Sequence, residues 1–202
     1  MANPAQHDTG CSEPSAVTAD SPHQAVVDEL VGNAHGNLAR MSELLDQHPE
    51  LLNAKATWNE TAIEAATQMG NRAIIEHLTA RGAPVDFFTA LVLGRLDQVE
   101  RELKAKPDVA RSRGVHNLPP LYFAAIGGSR AAAEMLIAAG ADVNARAEAA
   151  SPIHGAVMGG SAEMVRLLLQ HGADPSTPDY GGRDAPTLAR ELDRQEIAAL
   201  VS

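Results

Sequence analysis

Apolar positions along this chain recur at helical spacing in short, regularly separated blocks. Ile74, Ile75 and Leu78 share one face of a predicted helix, as do Met135 with Leu136, and Met164, Val165 and Leu168. Each of these stretches is the second half of a longer block that reappears as ETAIEAATQMGNRAIIEHLTARGAPV (60–85), LPPLYFAAIGGSRAAAEMLIAAGADV (118–143) and ASPIHGAVMGGSAEMVRLLLQHGADP (150–175). A block opens on a small residue or proline, runs through an alanine-containing helix to a glycine, and continues as a second helix. Taking the glycine between the helices as a marker gives Gly36, Gly70, Gly94, Gly128 and Gly160, with Asp193 in the sixth slot. The steps are 34, 24, 34, 32 and 33 residues. A fixed period of this length marks an array of supersecondary units. One helix pair cannot bury its own apolar face, so the units must stack and share a continuous core.

The block openings and closings resemble the ankyrin repeat, a β-turn followed by two antiparallel helices with a Thr-Pro-Leu-His signature. Ser151-Pro152-Ile153-His154 and Pro119-Pro120-Leu121-Tyr122 are the nearest matches, and Thr61-Ala62-Ile63-Glu64 and Asp184-Ala185-Pro186-Thr187 are weaker ones. The close of the unit reads Gly140-Ala141-Asp142-Val143-Asn144, and less fully Gly172-Ala173-Asp174-Pro175. The resemblance implies an all-α solenoid over residues 23–202, with six units near 23–54, 55–84, 85–112, 113–145, 146–178 and 179–202. Residues 1–22, rich in Ala, Ser, Pro, Asp and Thr without an apolar period, read as a flexible leader. The first and sixth units depart from the signature as capping units would. Units one and three close on HPELLNA (48–54) and KPDVARS (106–112), where proline ends the helix. The 24-residue step leaves no room for a projecting turn between units two and three, and predicts a gap in the row of fingers.

Composition narrows the function classes. Aromatic residues are only 3%, so the core is aliphatic. Sixteen Lys and Arg against 26 Asp and Glu give a net charge of −10, which disfavours nucleic acid and anionic membrane surfaces. No apolar stretch is long enough to span a bilayer. The single cysteine, Cys11, excludes an intramolecular disulfide and fits a cytoplasmic protein. Arginine outnumbers lysine and alanine abounds, which suggests a GC-rich bacterial genome. The histidines lack metal-ligand spacing and no glycine-rich phosphate loop occurs, so no cofactor or metal is expected.

Ser151 beside His154 has the residue types of an activated nucleophile. In the ankyrin resemblance the two take the Thr and His positions of the signature, where hydroxyl and imidazole fix a helix start, and that structural reading is preferred. Asn59 and Asn117 fall where the family has its finger glycine, a left-handed backbone position that Asn tolerates. The resemblance also places the two residues before each marker glycine on the concave side. Met69, Val92, Leu93, Ile126 and Met158 then form an apolar stripe there, either an exposed partner site or a filling of the core between units. Finger-tip residues Thr57, Trp58, Val115, His116, Glu148 and Tyr180 flank it, with Trp58 and Tyr180 the best anchors. Trp58 is as readily exposed as buried on this reading. The expected partner-binding set is Trp58, Met69, Val92, Leu93, His116, Ile126, Met158 and Tyr180. The expectation is a monomeric, non-catalytic module that binds another protein. The alternatives are an immunity-type protein neutralising a neighbouring gene product, and an enzyme or small-ligand binder.

Overall fold

A computed structural model describes residues 22–147 and 150–202; the leader, apart from Pro22, and the tip residue Glu148 lie outside it. Six helix pairs follow one another: α1 (Pro22–Ala34) with α2 (Leu38–Gln47), α3 (Ala62–Gln68) with α4 (Arg72–Ala80), α5 (Phe87–Leu93) with α6 (Leu96–Ala105), α7 (Pro120–Ile126) with α8 (Arg130–Ala138), α9 (Pro152–Gly159) with α10 (Ala162–Gln170), and α11 (Ala185–Glu191) with α12 (Gln195–Val201). Among the described residues there is no strand, only an isolated bridge between Lys55 and Thr61. The regular structure of the described residues is thus all-helical, as expected.

The first helix of each pair packs on the first helix of the next, forming a row α1, α3, α5, α7, α9, α11, and α6, α8, α10 and α12 form a second row behind it. Small side chains make the close stacking possible. Ala65, Ala66, Ala90, Ala124, Ala125, Ala156 and Ala189 have no exposed surface, and the second helices add Ile74, Ile75, Leu78, Leu136, Val165 and Leu168. The result is a continuous aliphatic core of the kind that stacked units share.

The first helices use several devices for their unpaired backbone N–H groups. Thr61 and Glu64 form a capping box, with Glu64 Oε2 accepting from the Thr61 N–H and hydroxyl at 2.8 Å each. Asp86 and Asp184 accept from the N–H groups of Thr89 and Thr187 at 2.8 Å. Pro120 occupies the first turn of α7, where a missing N–H costs nothing. The marker slots Gly70, Gly94, Gly128, Gly160 and Asp193 all adopt positive φ, so Asp193 does stand in for a glycine. Helices α2 and α6 stop before Pro49 and Pro107, which open short 3-10 turns.

Candidate functional site

Ser151 and His154 lie at the start of α9. Ser151 is 4% exposed and His154 is fully buried. Nδ1 of His154 accepts from the Ser151 backbone N–H at 3.2 Å and lies 2.8 Å from its Oγ. Accepting a backbone N–H leaves Nδ1 without a proton, so Nε2–H donates to the Arg183 carbonyl at 3.1 Å. The imidazole therefore ties the start of α9 to the finger of the next unit. Burial lowers its pKa, against smaller opposing contributions from the Arg183 carbonyl and nearby carboxylates. A sealed hydroxyl and an imidazole fixed at both nitrogens have neither access nor a free nitrogen for substrate.

In the second unit Ala56 N–H donates to the Glu60 carbonyl at 2.9 Å, and Asn59 closes the turn at φ 64°. Trp58 projects from its tip, 46% exposed, and its indole N–H donates to Glu60 Oε2 at 2.8 Å. In the fourth unit Gly114 N–H bonds the Leu118 carbonyl at 3.0 Å, and both His116 and Asn117 take positive φ. His116 is exposed at this tip. In the sixth unit Asp179 and Arg183 brace the turn with an ion pair at 2.7 Å, leaving Tyr180 87% exposed.

Between units two and three the chain passes from Ala80 to Phe87 without a finger, as the 24-residue step predicts. The space that a finger would fill is a cavity of about 420 Å³. Trp58 and His116 form part of its walls, and Thr67, Phe88, Thr89 and Phe123 line it more deeply. The Phe88 and Phe123 rings meet at a tilt of 53° with centroids 5.0 Å apart, and the Thr67 and Thr89 hydroxyls share a buried hydrogen bond of 3.0 Å.

The apolar stripe needs correction. Val92 and Ile126 are buried, 1% and 6% exposed, so these two belong to the core and not to a surface. The cause is close helix approach through glycines beside them. A Cβ on Gly127 would collide with the Val92 carbonyl, and one on Gly159 with the Ile126 carbonyl. The Ile126 side chain also covers Gly70, where a Cβ would sit 2.8 Å from its Cγ1. Met69 remains 41% exposed, and Leu93 and Met158 are partly exposed. Met158 Sδ lies 3.7 Å from the Tyr122 hydroxyl, which donates to the Gln68 carbonyl at 3.1 Å. Burial raises the Tyr122 pKa well above its ordinary value, so this hydroxyl keeps its proton.

Sequence reading passed over Glu60, although it lies two residues beyond the only tryptophan. Its carboxylate is 1% exposed and sits among side chains from three units. Oε2 takes the Trp58 N–H and lies 3.5 Å from His35 Nε2; Oε1 lies 3.5 Å from His116 Nε2 and has no hydrogen-bond donor. His35 is committed elsewhere. Its Nε2 accepts from the Gln68 amide at 2.8 Å, which leaves the ring proton on Nδ1, facing the Val31 carbonyl at 3.2 Å.

Among the described residues no group of His, Cys, Asp and Glu is arranged to hold a metal ion, and no helix is long and apolar enough to cross a membrane. No curated protein matches the chain. A family model described as ankyrin repeats (3 copies) matches residues 87–179 and 121–200, together more than half of the sequence. With the stacked helix pairs, the finger turns and the Ser151–His154 clasp, this match leaves one assignment: the chain belongs to the ankyrin repeat family.

Proposed function

We propose that this protein is a non-catalytic interaction module that binds another protein through its finger tips and the exposed ends of its first helices. Ankyrin repeats generally serve as protein–protein interaction modules. One observation carries the reading to particular residues. Of the large apolar side chains exposed among the described residues, Trp58, Met69, Tyr180 and Leu192 all lie at finger tips or first-helix ends, and only Leu38 lies elsewhere. Apolar side chains concentrated in this way mark a partner surface, and aromatic tips are common anchors. Leu93, His116 and Met158 complete the proposed surface, and Val92 and Ile126 support it from beneath. A monomer in the cytoplasm, with an acidic surface suited to a basic partner, is part of the same proposal.

A photo-crosslinking residue placed at Met69, and separately at exposed Arg101 on α6, tests it in cells of the source organism. The expected result is a discrete adduct with one protein from position 69 and none from position 101. Equal labelling from both positions, or none from either, rejects the surface.

A further inference from the structure

Behind one wall of the finger gap lies a group that the fold leaves incomplete. Glu60 is a carboxylate with a 2% exposed side chain, and its Oε1 lacks a donor. A buried unpaired carboxylate oxygen is costly, and sites that keep one commonly complete it with a ligand. Oε1 faces the imidazole of His116, which is itself a wall of the 420 Å³ cavity and is 46% exposed. His116 thus stands between Oε1 and the cavity, and moving its side chain aside would expose the oxygen to it.

The remaining charges point to the sign of the occupant. Glu64 and Asp86 line the cavity, each spending one oxygen on a helix cap. The cations that line it are engaged with neutral acceptors: Lys55 Nζ donates to Asn59 Oδ1 at 3.2 Å, and Arg113 donates to the Asn117 and Arg146 carbonyls at 3.3 and 3.1 Å. Among the described residues neither Lys nor Arg forms an ion pair with Glu60, Glu64 or Asp86. The walls themselves are aromatic: Trp58, Phe88 and Phe123. A flat cation with several N–H donors satisfies both aspects, stacking on rings while donating to carboxylates.

We propose that the finger gap receives an arginine side chain from a basic segment of a protein partner, whose guanidinium takes the place of His116 and donates to the Oε1 of Glu60, which lacks a hydrogen-bond donor. The proposal rests on the reading of the fingers as a protein-binding surface and names the chemistry that one part of it selects. His116 acts as a placeholder in the free protein. The net charge of −10 draws a basic segment toward the site.

Trp58 is the only tryptophan and a wall of the cavity, so its emission reports occupancy directly. The full chain is titrated, at physiological salt, with a nine-residue Gly/Ser peptide carrying one central arginine. The same peptide with citrulline, the neutral isostere, serves as the comparison. A saturable emission change is expected with arginine and none with citrulline. Glu60→Gln keeps an acceptor for the Trp58 N–H and is expected to weaken binding by about tenfold or more. His116→Ala removes the placeholder and is expected to tighten it, a result that a merely structural role for the pair would not produce. Equal response to citrulline, unchanged affinity in a folded Glu60→Gln, or weaker binding by His116→Ala overturns the proposal. If Glu60→Gln fails to fold, the His116→Ala and citrulline arms decide. A partner that crosslinks at position 69 yet ignores a folded Glu60→Gln leaves the wider surface standing and removes only the arginine pocket.

Discussion

The junction between α7 and α9 and the junction between α3 and α5 are built from the same repeat and end in opposite conditions. At the first, glycines at 155 and 159 bring helices together until a Cβ would strike the neighbouring backbone. A finger turn is present there, with the Ala147 N–H on the Ala150 carbonyl, and the start of α9 is tied to the next unit by a histidine bonded at both nitrogens. At the second, the finger is missing, a cavity opens in its place, and a carboxylate oxygen remains without a donor. Shortening one unit by about a finger's length thus turns a position of structural closure into one of unmet bonding capacity. In a repeat protein the irregular unit is where chemistry is left over.

Substitutions can break that contrast, beginning with the tight junction. Ile126→Asp buries a charge without a partner between Gly70 and Gly159, and is expected to cost more than about 4 kcal/mol, so that circular dichroism shows the array unfolded or melting far lower. His154→Ala leaves the Ser151 N–H and the Arg183 carbonyl unpaired and empties a buried site. A loss of about 2–4 kcal/mol in urea unfolding is expected. Gly159→Ala should cost about 1–3 kcal/mol through collision with the Ile126 carbonyl. Gly128→Ala, with open space around it but a positive φ, should cost only about 1 kcal/mol; a reversed order would show that backbone strain outweighs packing here. On the exposed side, Met69→Asp and Tyr180→Ala are expected to change stability by less than about 0.5 kcal/mol while reducing partner capture.

The clasp also has a pH signature. Burial depresses the folded-state pKa of His154 below its ordinary 6.5, so the unfolded chain binds a proton there first as pH falls. Its contribution is complete above the unfolded value and is lost as pH drops from there toward the folded value. Asp179 and Asp184, also held below their ordinary 3.8, lose theirs only in a more acidic range. Melting temperatures of the protein and of His154→Ala should therefore converge on mild acidification; parallel curves would place the effect elsewhere.

Much of the array was legible because its determinants are local. Left-handed turns need Gly, Asn or Asp at fixed offsets, and Asp193 and Asn59 can be found by counting. The missing finger is a matter of arithmetic on Gly70 and Gly94, and the helix stops at Pro49 and Pro107 are read directly. Exposure was less legible. Val92 and Ile126 occupy the same register slot as Met158, two residues before the marker glycine, yet they are buried because glycines in the following units draw those helices close. A side chain's own position in the period carries no information about how near its neighbours come. Glu60 was missed for the same reason: its burial is made by Trp58, His35 and His116, which lie in three different units.

Stacked repeats are commonly treated as a one-dimensional chain in which each unit feels only its two neighbours. The Tyr122 hydroxyl exceeds that range, since from the fourth unit it bonds the second unit's Gln68 carbonyl and touches the fifth unit's Met158. Through Gln68 the same line continues to His35 in the first unit. The short third unit is what allows this reach. Fraying at the N-terminal end is therefore coupled to the packing of the fifth unit, and the protein should open in larger cooperative blocks than its sequence period implies.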